Sequence, residues 1–137
     1  MSRSGYSDDC DGSKLNLWRG AVNSAIKGTR GQAFIVEAIQ ALDAMPRKEL
    51  IAESLQETAS GEFCTLGVVG HARGLALAPL ENLTARSIAT AFSISHAMTA
   101  EIMYENDDED GQYDDKTPEQ RWIRMRKWLE SNLTRGD

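Results

Sequence analysis

Apolar residues return every three or four positions along most of the chain, and the breaks in that rhythm mark its elements. From Lys14, the residues Leu15, Trp18, Val22, Ala25 and Ile26 share one helical face, and Gly28 stops the run. After the turn Gly28-Thr29-Arg30-Gly31, a second helix carries Phe34, Ile35, Ala38, Leu42 and Met45 and ends at Pro46. Near the C-terminus, Thr117 as N-cap, Pro118 at the first helical position and Glu119 and Gln120 in the first turn open a last helix. Its stripe is Trp122, Met125, Trp128, Leu129 and Leu133.

The middle of the chain is less regular. Leu50, Ile51 and Leu55 would suit a helix, but Phe63, Cys64, Leu66, Val68 and Val69 follow Gly61 in a run that suits a strand. The favoured reading is a β-hairpin pairing 50–57 with 62–69 and turning at Ala59-Ser60-Gly61. Its rival is a helix over 47–58 followed by a buried helix that starts near Glu62, because short apolar runs do not separate the two. Gly67, Gly70 and Gly74 count against a long uninterrupted helix.

Residues Thr84–Glu105 read as a helix-turn-helix. Asn82 or Thr84 caps a helix with Ile88, Ala89 and Phe92 inward, Ser93-Ile94-Ser95 turns, and Ser95 caps a second helix with Ala97, Met98, Ile102 and Met103 inward. Ser93 stands where such motifs usually place glycine. The expected fold is therefore mainly α, with about five helices including this pair and a small β-hairpin, which makes it α+β if the hairpin is real. Residues 1–13, polar and acidic, are expected to form a flexible tail. Residues 14–137 form one globular domain with an acidic loop at 105–116.

Charge changes the reading of the helix-turn-helix. Glu101–Asp115 holds eight carboxylates and no Lys or Arg, and the face expected to point outward from the second helix offers only His96, Thr99, Glu101 and Tyr104. Lys and Arg supply most phosphate neutralisation and the commonest contact to guanine, so nucleic acid is disfavoured as a partner. With 21 acidic and 15 basic residues the net charge is −6, which points towards a basic partner surface. The DNA-binding alternative, a transcriptional regulator, would use Arg86, Ser95, His96 and Thr99. It would need a homodimer to bring Arg86 or the Arg121, Arg124, Arg126 and Lys127 face alongside, although those last cations more economically neutralise the acidic loop.

Catalytic chemistry finds little to build on. Cys64, His71 and His96 would have to converge for a Cys/His hydrolase, and no CxxC, HxxxH or HExxH is present. Asp8, Asp9 and Asp11 do not follow the ligand spacing of a calcium loop, and Gly67–Gly74 lacks the GKS or GKT ending of a phosphate loop. No cofactor or metal is expected, and no enzymatic activity. The two cysteines, Cys10 and Cys64, read as free thiols, no apolar run is long enough for a membrane span, and the N-terminus lacks the apolar core of a signal peptide; the expected location is the cytoplasm.

The segments RSGYSDDCD, LWRGAV, RGQAFIVEAIQALDAMPRKELIAESL, GEFCTLGVVGHARG, MYENDDE and TPEQRWIRMRKWL together resemble a group of small uncharacterised proteins encoded by tailed phages and prophages of proteobacteria. That resemblance implies a phage accessory protein, in the infected or lysogenic host, that binds a host or phage protein stoichiometrically and inhibits host defence or host machinery. The expected contact is an acidic surface made by Glu105, Asp107, Asp108, Glu109 and Asp110, with Tyr104 and Tyr113 as aromatic anchors.

Overall fold

The computed structural model describes residues 3–4, 12–57, 60–109, 111–113 and 115–134, with the side chains of 12–16 outside the description. Among these residues the elements are α1 (Gly12–Lys27), α2 (Thr29–Asp43), β1 (Gln56–Glu57), β2 (Glu62–Phe63), α3 (Thr65–Arg73), a 3-10 turn (Ala78–Leu80), α4 (Ala85–Phe92), α5 (His96–Asp107) and α6 (Pro118–Ser131). The fold is mainly helical with one small antiparallel hairpin. Helices α1, α3 and α6 each pack against both α2 and α5, and α4 packs on α5.

Local signals do what the apolar pattern asks of them. Phe34, Ile35, Ala38 and Leu42 of α2 enter the core, as do Met125 and Leu129 of α6. Thr117 and Gln120 form the reciprocal capping box at the start of α6, which satisfies backbone N–H groups that the first helical turn leaves without partners. Thr84 and Ser95 cap α4 and α5 by accepting from Ser87 N and Met98 N. Ser93 takes the left-handed conformation (φ 59°) that the glycine of such a turn would occupy, and the Ile94 N–H donates to Ala89 O to close the end of α4.

The middle of the chain departs from the favoured reading. The hairpin exists, but it pairs only Gln56 with Phe63 and Glu57 with Glu62, and residues 65–73 are the helix α3. The rival's second half holds; its first half does not, because residues 47–55 form no helix. The strand expected at 62–69 fails because every residue from Thr65 to Gly70 is buried, so no polar face remains to reveal a helical period. The glycines here serve close approach: a Cβ on Gly67 would lie 1.8 Å from Leu55 O, and one on Gly70 would lie 2.7 Å from Leu77 Cδ2.

A second correction concerns α5. The face read as outward is largely inside, with Thr99 fully buried and Glu101 only 4% exposed. Helix α5 is the centre of the bundle, contacted by α1, α3, α4 and α6, and those contacts take up the positions of Thr99 and Glu101. The flexible tail expected over 1–13 lies mostly outside the described residues, as do Cys10 and Asp110. Arg3 and Ser4 are described, and both are docked onto the C-terminal end of α5.

Candidate functional site

The expected acidic surface is, for the most part, tied into the molecule. Arg3 donates from Nε and Nη2 to the two carboxylate oxygens of Asp107, at 2.6 and 2.7 Å. The same carboxylate accepts from Asn106 Nδ2 and from Glu53 N. Ser4 Oγ donates to Glu109, and Asp108 accepts from Gln112 N and Tyr113 N. Asp115 is held by Arg124 and lies 3.7 Å from Arg121, so part of the expected internal neutralisation by α6 is present; Arg126 pairs instead with Asp43 and Glu130. Arg124 also sits 4.6 Å from the Tyr113 ring centroid, and that tyrosine is exposed. Tyr104 is half-buried.

Beneath this run lies a buried polar hub. Asn106, fully buried at the end of α5, accepts from Thr65 N and Thr65 Oγ1 and donates to Ile51 O. Arg121 and Arg124 donate to its carbonyl. One side chain therefore joins α5, the N-terminus of α3 and the segment before the hairpin, while its backbone joins α6.

Glu101 and Glu105, one helical turn apart on α5, form the other buried polar feature. Arg19 of α1 makes two 2.9 Å bonds to Glu101. Burial first, and the Glu101 charge second, hold the Glu105 carboxyl above its ordinary 4.5, against the opposing pull of the Tyr113 hydroxyl, Arg124 and Arg19. Its Oε2 is buried without a hydrogen-bond partner. Because the folded state favours the protonated form, the associated stability is complete below 4.5 and is lost as pH rises through the elevated folded value. Glu105→Gln is accordingly expected to raise the melting temperature at pH 7, with the gain shrinking towards zero at pH 4; a gain that is equal at both values would refute this linkage.

Cys64, His71 and His96 are not brought together. Cys64 is fully buried and caps α3, its Sγ accepting from Gly67 N, with Arg3 Nη1 3.7 Å away. His71 lies on the exposed side of α3 and stacks on Phe63, with ring centroids 4.7 Å apart. His96 meets the edge of Trp18, and burial followed by the Arg86 charge holds it below its ordinary 6.5. Of the residues proposed for DNA contact, Thr99 is buried and bonded to Ser95 O, and the Ser95 hydroxyl is spent on its cap; only Arg86 is exposed. Among the described residues no cluster of His, Cys, Asp and Glu could hold a metal, and no helix is long and apolar enough to cross a membrane.

A groove of about 580 Å³ lies between the end of α2, the hairpin and α3. Its apolar lining is Ala41, Met45, Pro46, Phe63, Val68 and Ala72, and Arg47, Glu49, Glu62 and His71 line it as well. From Glu49 to Ala72 the sequence holds four glutamates and no Lys or Arg. Glu57 and Glu62 face each other directly across the hairpin, and among the described residues neither has a salt bridge. Like charges in that position destabilise a strand pair. The absence of cations over this stretch was visible in the sequence, but nothing there placed it beside an apolar groove. No family model, curated protein or solved structure matches the chain.

Proposed function

We propose that this chain is a non-catalytic interaction protein that binds a host or phage protein through a basic patch on that partner, in a bacterium carrying a phage or prophage, and so inhibits host defence or host machinery. The carrying observation is the Glu57–Glu62 pair: two carboxylates held opposite each other with no cation among the described residues in a salt bridge to either, on a chain of net charge −6. A lysine or arginine from a partner would relieve that repulsion, and charge complementarity of this kind sets association rate and partner choice. This moves the contact from the 105–115 run, whose Asp107, Glu109 and Asp115 are bonded internally, to the hairpin. The burial of Thr99 and Glu101 weighs against the DNA-binding alternative.

The test is affinity purification of the tagged wild-type protein and of the Glu57→Lys/Glu62→Lys variant from infected or lysogenic cells, with mass spectrometry. A partner with a basic surface should be recovered at low salt with the wild type, be released as salt rises, and be lost with the variant. Equal recovery with both proteins would sink the reading.

A further inference from the structure

The acidic hairpin and the apolar groove adjoin, and Glu62 and Phe63 belong to both. A surface of scattered carboxylates would serve a purely electrostatic encounter, yet here the charge borders a concavity. Its volume of about 580 Å³ is large enough for more than one bulky side chain. The floor is hydrocarbon from Ala41, Met45, Pro46, Val68 and Ala72, and Phe63 supplies an aromatic face. Apolar floor and polar rim together are the anatomy of a site that seats anchor residues from another chain.

We infer that this groove seats a protein segment carrying bulky apolar anchor side chains flanked by Lys or Arg, the anchors lying against Phe63 and Val68 and the cations meeting Glu57 and Glu62. The inference rests on the reading above, that a basic protein is the partner, and adds where and how it is gripped. Charge complementarity selects this occupant. Arg47, which lines the groove, is paired with Glu49, whereas Glu57 and Glu62 beside it have no salt bridge among the described residues. An acidic segment would add a third and fourth carboxylate to a pair that already repels. A second copy of this chain would bring the same acidic rim against itself.

Three fluorescein-labelled peptides test it by fluorescence anisotropy: one of leucine and lysine in amphipathic order, one with glutamate for lysine, and one with serine for leucine. The leucine–lysine peptide should bind the wild-type chain at least about tenfold more tightly than either of the others, since removing either half of the complementarity removes at least one strong contact. Ala72→Trp, a neutral filling of the groove at an exposed position of α3, should weaken it by a similar factor. Should that variant lose its native circular dichroism, Ala44→Trp fills the opposite wall from the end of α2.

The outcomes separate the two proposals. If the filled variants bind the leucine–lysine peptide like the wild type while Glu57→Lys/Glu62→Lys does not, the groove seat is overturned and the acidic contact stands. If neither kind of variant weakens binding, or the wild type does not bind that peptide, both are overturned. Equal binding of the leucine–glutamate peptide would overturn the chemistry assigned to the partner. A dimer seen by sedimentation and dissociated by Ala72→Trp would make a second copy the occupant and overturn the inference as well.

Discussion

Replacing Gly67 by alanine is expected to cost about 3 kcal/mol or more of folding stability, against the gain of up to about 1 kcal/mol that the same change brings inside an unconstrained helix. The added Cβ would stand 1.8 Å from Leu55 O and 2.9 Å from Leu55 C, both backbone atoms. That backbone cannot retreat cheaply. Leu55 O accepts from Cys64 N, which closes the base of the hairpin, and Leu55 N donates to Glu81, whose carboxylate also takes Gln56 N. The clash therefore has to separate α3 from the hairpin, and with them two walls of the groove. Thermal and urea melts of Gly67→Ala measure the loss, with Gly20→Ala as control, because a Cβ there meets nothing within 4 Å and should be neutral or stabilising. A Gly67→Ala protein as stable as the wild type would show that α3 does not pack on Leu55 as described.

Asn106→Ala should lose about 3 kcal/mol for a different reason. It creates no clash; it leaves Thr65 N, Thr65 Oγ1 and Ile51 O without their side-chain partner, beside a Thr65 that is fully buried. Each buried polar group left unpaired costs about 1–3 kcal/mol, and shared relaxation keeps the sum below three times that figure. Asn106→Asp sharpens the test. It keeps an acceptor for Thr65 but gives up the donor to Ile51 and sets a second carboxylate beside Asp107, so it too should fall well below the wild type. In hydrogen exchange, the Thr65 amide should lose protection in both variants before the amides of α2 do. A change under about 1 kcal/mol for Asn106→Ala would mean that the hub is not what fixes α3 to α5.

Much of the fold was legible because it is written in short-range terms. The stripes of α2 and α6, the Thr117–Gln120 box and the Thr84 and Ser95 caps each depend on residues no more than a few positions apart, and each is found where the pattern places it. The hairpin was legible only in the pairs that flank its turn, Gln56 with Phe63 and Glu57 with Glu62; Ala59 of the expected turn lies outside the described residues. Its expected second strand became α3 because Thr65–Gly70, the part of that helix within the expected strand, is buried all round and leaves no alternation of apolar and polar positions to read.

The candidate site was legible in sign and not in place. Eight carboxylates in Glu101–Asp115 announce an acidic surface, but Arg3 reaches Asp107 from 104 positions away and Arg19 reaches Glu101 from 82. Pairings at that separation leave no trace in local composition. They tie Asp107 and Glu101 into the fold, and they let Glu101 sit on a helix at the centre of the bundle.

The sequence alone determined where most helices start and stop, which side of α2 and α6 faces inward, and that the chain carries an excess of negative charge. Those properties follow from backbone sterics, capping chemistry and counting, none of which needs a partner distant in the chain. Only the tertiary structure decided which of the described carboxylates are held by cations of the same chain. A carboxylate's availability depends on whether a guanidinium or a backbone N–H has been folded onto it, and that is a property of neighbours in space.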